Sequence, residues 1–159
     1  MVMEQVTYRK FLPRDAEALR CLIRNYEESL GISLGFQGID RELECLPGIY
    51  AEPRGAIIVA VSGDGYICGC VALRPLEKGR CEMKRLFVRD SHRGMNVGRT
   101  LAAMIVSEAR SKGYDGIRLD TLSSMVPALT LYRSLGFREI GAYTFNPIEG
   151  AVYMEKDLR

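Results

Sequence analysis

Nowhere in its 159 residues does the sequence hold a run approaching the roughly 20 apolar residues of a membrane span. Nor do the residues after Met1-Val2-Met3-Glu4 form the apolar segment of a secretory leader. An excess of either charge is also missing. Lys and Arg total 22 against 20 Asp and Glu, a net charge of +2. That gives no reason to expect a nucleic-acid partner, although one local basic site for an anionic ligand remains compatible with it. Histidine occurs once, as His92. The cysteines Cys21, Cys45, Cys68, Cys70 and Cys81 are odd in number and irregularly spaced, so they outline no disulfide framework. Cys68-x-Cys70 has no second Cys/His pair nearby. On a strand the two would share a face, where they read as small buried hydrophobes rather than metal ligands. Reduced thiols, a cytoplasmic location, no metal and no membrane partner are the resulting expectations.

What is present is the balance of an ordinary globule, 47% hydrophobic and 26% charged residues. A disordered chain would lack the apolar surface to offset its conformational entropy. The length fits one domain, residues 1–159, able to bury roughly 70% of its unfolded surface.

Val6 to Phe11 alternates and stops before Pro13, as a first strand does. Asp15 is placed to cap a helix in which Leu19, Leu22, Ile23, Tyr26 and Leu30 form one apolar face, and Gly31 is a plausible stop. A glycine-bearing, mobile connection follows to Gly38, then a short helix from Asp40 to Leu46. Ala56 to Val61 is a continuous apolar run, the mark of a strand buried on both faces. The turn Ser62-Gly63-Asp64-Gly65 joins it in a hairpin to Tyr66–Leu73, and Arg80–Val88 is a third consecutive strand. A helix from Val97 to about Lys112, a strand from Gly116 to Asp120, and a helix with Pro127 in its first turn come next. Phe137–Phe145 and Ala151–Leu158 read as closing strands. The order is β-α-α-β-β-β-α-β-α-β-β. A right-handed crossover between Arg80–Val88 and Gly116–Asp120 makes those two strands parallel.

The loop between that strand and helix is the segment with chemical content. Arg93-Gly94-Met95-Asn96-Val97-Gly98 opens a helix, whose unpaired N–H groups and positive dipole end suit a phosphate; Arg93 and Arg99 can add charge. An ordinary strand–helix turn with solvated arginines would read the same way. The spacing is not G-x-G-x-x-G, and no Gly-Lys-Ser/Thr completes a Walker A loop.

These six residues resemble the acetyl-CoA pyrophosphate loop of the GNAT N-acetyltransferases, Gln/Arg-x-x-Gly-x-Gly/Ala. Lys84-Arg85-Leu86-Phe87-Val88 resembles their fourth strand. Leu131-Tyr132-Arg133-Ser134-Leu135-Gly136-Phe137 resembles their C-terminal signature. The resemblance covers nearly the whole chain and is weakest over residues 14–55. Two positions depart from the pattern. Asn96 replaces a glycine, though Asn tolerates a left-handed backbone best among the others. Met125 stands where many members carry asparagine. Leu119-Asp120-Thr121-Leu122 and the ending Asn146-Pro147…Gly150 look like a bacterial, small-molecule-type subgroup.

The resemblance implies an α/β (α+β) fold. It has a mixed, mostly antiparallel seven-stranded sheet with about four helices on both faces, strands 4 and 5 being parallel and splayed. It implies acetyl-CoA as cosubstrate, its pantetheine arm along Leu86, Phe87 and Val88. The Phe87 or Val88 amide would polarise the thioester carbonyl. The pyrophosphate would lie on Arg93, Gly94, Met95, Asn96, Val97 and Gly98, with Arg99 and Thr100 in the first turn. Tyr132 would be the general acid for the departing thiolate. Glu82 would be the base, directly or through a water. His92 adjoins the loop, away from the amine. The cysteines lack an activating partner, which favours direct transfer in a ternary complex. Residues 25–50 and 143–150 would select a small-molecule amine. A non-catalytic acyl-CoA sensor or a protein N-acetyltransferase would share the fold. The exposed C-terminal strands are compatible with a homodimer.

Overall fold

The computed structural model describes residues 4–31, 33, 35 and 38–159, so the connection from Gly31 to Gly38 lies in part outside the described residues. Seven strands form one sheet in the order β1-β2-β3-β4-β5-β7-β6. They are β1 (Thr7–Lys10), β2 (Ala56–Val61), β3 (Ile67–Pro75), β4 (Arg80–Val88), β5 (Gly116–Leu122), β6 (Arg138–Ile140) and β7 (Ala151–Asp157). All neighbours are antiparallel except β4 and β5, as the crossover rule requires. The helices are α1 (Ala16–Leu30), α2 (Ile39–Glu44), α3 (Val97–Ser111) and α4 (Val126–Ser134).

Strand alternation sorts the core into two layers. Ala56, Ile58, Ala60, Val71 and Leu73 pack with Leu101, Ile105 and Ala109 of α3 and Leu129 and Tyr132 of α4. On the other face Ile57, Val59, Cys70 and Ala72 meet Leu19, Leu22 and Ile23 of α1 and Ile39 and Leu43 of α2. Both faces of the central strands are therefore dry, which is why β2 reads as an unbroken apolar run.

Three expectations are corrected. Asp15 occupies the N-cap position of α1 but makes no capping bond. Its carboxylate accepts instead from Leu12 N at 2.8 Å and from both Arg9 terminal nitrogens at 2.7 and 3.0 Å. Arg9 holds that carboxyl below its ordinary pKa. Cys68 and Cys70 lie in opposite layers. The β2–β3 register jumps from Ala60↔Gly69 to Val61↔Ile67, and this bulge at Cys68 reverses the alternation. Finally, the strand expected over Phe137–Phe145 ends at Ile140. Beyond it the chain leaves the sheet: Thr144 O accepts from Tyr153 at 3.0 Å, and Tyr143 reaches β4.

Candidate active site

The β4–β5 pairing covers only Arg80↔Gly116, Cys81↔Ile117 and Glu82↔Arg118, and beyond it the two parallel strands part. A bulge in β4 accompanies the parting. Arg85 and Leu86 together face Val71, between the pairs Ala72↔Lys84 and Cys70↔Phe87. Arg85 takes φ +60°, a left-handed conformation that is strained for a side-chain-bearing residue. Its guanidinium grips Glu42 of α2 through two bonds of 2.8 and 2.9 Å, both groups being buried.

The edge of β4 from Leu86 to Val88 is thus open toward β5. Arg89 N donates to Cys68 O of β3 at 2.8 Å. Successive amides alternate in direction along a strand, so the Val88 amide faces the opening. Of the two amides expected to polarise a thioester carbonyl, alternation favours Val88 over Phe87.

Beyond Val88 the chain makes a short 3-10 turn at Asp90–His92 and a second turn over residues 93–96 before it enters α3. Asn96 adopts φ +61°, so the turn survives the replacement of a glycine, and Gly94 adopts +80°. None of the backbone amides from Gly94 to Arg99 has a backbone acceptor among the described residues, and the first to bond is Thr100 N, to Asn96 O at 3.0 Å. Gly98 has ordinary backbone angles, and a Cβ there would meet only Val88 Cγ2, at 3.6 Å. The fold itself does not demand glycine at 98. Arg99 bonds Ser134 Oγ of α4 at 2.8 Å, while Arg93 lies exposed beside Asp90. Leu86, Val88, Gly94, Gly98, Pro127 and Leu131 line the groove between this loop and α4. His92 belongs to this groove as well, and it lines neither cavity described next.

The groove leads into a cavity under the opening, bounded by Leu86, Ala128 and Tyr132 among others. Tyr132 is buried against Phe137, ring centroids 5.8 Å apart, and its hydroxyl has no hydrogen-bond partner among the described residues. Burial raises the phenol's pKa, keeping it a protonated donor.

On the other side of the opening lies a second cavity of about 210 Å³, lined by Glu42, Arg74, Glu82, Lys84, Asp120 and the loop residues Thr144 and Phe145. Lys84 and Asp120 line both cavities. Glu82 is only 1% exposed. Its Oε1 accepts from Arg74 Nε at 2.7 Å and its Oε2 from the Tyr143 hydroxyl at 2.5 Å. The three buried thiols, Cys68, Cys70 and Cys81, are all pushed up by burial, the last two to about 12, so none is a ready thiolate.

Residues 20–137 match the model of the acetyltransferase (GNAT) family. The chain belongs to that family. It is 38% identical over 148 residues to an uncharacterized N-acetyltransferase of Schizosaccharomyces pombe, covering 92% of this chain and 91% of the relative. An uncharacterized N-acetyltransferase of Escherichia coli is 28% identical over 83% of this chain and 81% of its own. The likeness therefore reaches beyond bacteria. In fold, a GNAT-family acetyltransferase from Staphylococcus aureus superposes with TM-score 0.83 at 21% identity, over 98% of this chain and 100% of that one. An N-acetyltransferase from Thermoplasma acidophilum in complex with coenzyme A gives 0.76 at 18%, over 96% and 99%.

This GNAT protein is an acyl-CoA-dependent N-acetyltransferase, and its loop fits the donor's diphosphate. An anion needs N–H groups without internal acceptors, and residues 94–99 supply a run of them. Among the described residues no cluster of three or more metal-ligating side chains forms, and no helix is long and apolar enough to cross a membrane. The sequence singled out Tyr132, Glu82 and the loop, and the structure sets Tyr132 and Glu82 in adjoining cavities. The placement of Lys84 and Asp120 where the two cavities meet was missed, although a signal for it existed. Cys81, Met83, Ile117 and Leu119 point into the α3–α4 core, so the polar residues alternating with them, Glu82, Lys84, Arg118 and Asp120, share the opposite face.

Proposed function

We propose that this acetyltransferase acetylates a primary amine of a small molecule by direct attack in a ternary complex. One observation carries the reading. The groove at the loop, the cavity at Tyr132 and the charged cavity of about 210 Å³ adjoin in series, each sharing lining residues with the next. Residues from the segments expected to select the acceptor, Glu42, Ile49, Thr144 and Phe145, lie at the far end of that series.

Acetyl-CoA, when bound, supplies a thioester whose carbonyl carbon accepts the amine's lone pair while the C–S bond breaks. The Val88 amide would donate to the carbonyl oxygen as charge grows there. Tyr132 would donate its hydroxyl proton to the departing sulfur. Glu82 would take the amine's proton, its position fixed by Arg74 and Tyr143.

Acetyl-CoA at about 100 times its dissociation constant should stabilise the fold by roughly 2.7 kcal/mol, read as a rise in Tm. Gly98→Asp should abolish that rise while leaving the unliganded Tm nearly unchanged, because the free protein has room for a side chain there. No rise with millimolar acetyl-CoA or CoA would defeat the reading. Glu82→Gln tests the base. Its loss of kcat/KM should be largest at low pH, where most of the amine is protonated, and should shrink as pH rises. An equal loss at every pH would make Glu82 a positioning residue. Tyr143→Phe, which leaves the carboxylate in place, should lose less than Glu82→Gln.

A further inference from the structure

Around the acceptor-side cavity the charges pair off within the protein, Lys84 and Asp120 less closely than the others. Arg74 is matched by Glu82 at 2.7 Å, and Arg85 by Glu42 at 2.8 Å. Lys84 is the first of the two. Its side chain is nine-tenths buried, with 10% exposed, and its nearest carboxylate oxygen is 3.9 Å away on Glu82, the oxygen Arg74 already holds. The Lys84 ammonium donates no hydrogen bond to a described residue. Asp120 is the second. Its Oδ2 accepts from Asn146 at 3.0 Å, and no cation lies within ion-pair reach among the described residues.

The sheet explains why these two face each other. Glu82 is paired with Arg118 in parallel register. Two residues further along, on the same faces, come Lys84 and Asp120, where the strands have parted. They flank the opening from opposite sides, and both line the two cavities that meet there. A buried ammonium whose one carboxylate contact is shared and 3.9 Å long is costly unless a further anion approaches. Burial lowers the Lys84 pKa, against the opposing effects of the Glu82 and Asp120 carboxylates.

We propose that the acceptor is a compact zwitterion, an α-amino acid or close analogue, whose carboxylate docks on Lys84 and whose ammonium is oriented by Asp120. A cation held only by a shared carboxylate at 3.9 Å, and an anion with no ion pair among the described residues, complement a ligand with one of each. A polyamine would set a second cation against Lys84. A peptide N-terminus would bring an amide where Lys84 needs an anion. The apolar part of the lining is Ile49 and Phe145, 52% and 75% exposed at the rim, which suits an apolar side chain on the amino acid. This inference rests on the proposed N-acetylation of a small amine and narrows its substrate class.

The test uses the purified full-length protein with acetyl-CoA and three kinds of acceptor: apolar L-amino acids, the same amino acids as carboxamides, and spermidine. The wild-type kcat/KM should favour the free acid over its carboxamide by about 10²-fold, the scale of one charge-assisted hydrogen-bonded contact. Lys84→Met should collapse that acid-to-amide ratio toward one, mainly through KM, and Lys84→Arg should restore part of it. Equal or better turnover of the carboxamide or of spermidine by the wild type would overturn the zwitterion while leaving small-amine acetylation standing. An acid-to-amide ratio unmoved in a folded Lys84→Met would remove Lys84 from acceptor binding. Failure to acetylate any of the three, with acetyl-CoA bound, would overturn the underlying reading as well.

Discussion

Replacing Tyr132 by phenylalanine is expected to lower kcat by about 10²–10⁴-fold, with folding and coenzyme A binding intact. The substitution is close to a pure deletion of chemistry. The ring stays packed on Phe137, and the lost hydroxyl strands no partner, since none bonds it among the described residues. Burial keeps the phenol protonated across the working range, so it can meet a thiolate as a donor at every ordinary pH. The alkaline limb of the pH–rate profile should therefore persist in shape when Tyr132 is changed, even as the whole curve drops. Single-turnover measurements separate the chemical step from product release. Full kcat in Tyr132→Phe at saturating substrates would make Tyr132 a packing residue of α4.

The second large effect falls on stability. Arg85→Met should destabilise the protein by about 3–5 kcal/mol, the cost of stranding one member of a buried ion pair. The stranded group is the Glu42 carboxylate, which loses a two-point contact of 2.8 and 2.9 Å. The double replacement Arg85→Met with Glu42→Met removes both charges and should recover much of the loss. Urea denaturation of the two variants measures the difference. A loss below about 1 kcal/mol for the single variant would mean that the carboxylate finds water and the pair contributes little. The pair also ties α2 to the β4 bulge, so the variants report whether the charged cavity beside Glu82 depends on that tie.

Most of the element order could be read from periodicity, because the two core layers impose period 2 on the strands and one apolar stripe on each helix. The bounds of β2 and β4 match the expected ones, since glycine-bearing turns or charged loops flank buried runs there. Residues 141–145 resisted the same reasoning. Their pattern continues a strand, but their partners lie elsewhere in sequence: Tyr143 bonds a carboxylate 61 positions away. The surroundings of Glu82 divide in the same manner. Arg74 sits directly across the β3–β4 hairpin from Glu82, so working out the register would have found it. Glu42 meets Arg85 across 43 residues, and no local signal announces that pair. The reversal at Cys68 was hidden because a bulge changes which face a residue takes without changing its composition.

The parting of β4 and β5 places a sheet edge in the interior of the sheet rather than at its rim. An unpaired edge elsewhere is a hazard, because it recruits strands from other molecules. Here α4 flanks the edge through Pro127 and Leu131, and Asn146 and Ile148 border the adjoining cavity. A second protein's strand, with neighbours of its own on either side, has no room to lie down in that slot. A single thin chain with amide groups at intervals does. By recessing its edge the fold turns a route to aggregation into a filter that would admit the slender, peptide-like arm proposed to lie there.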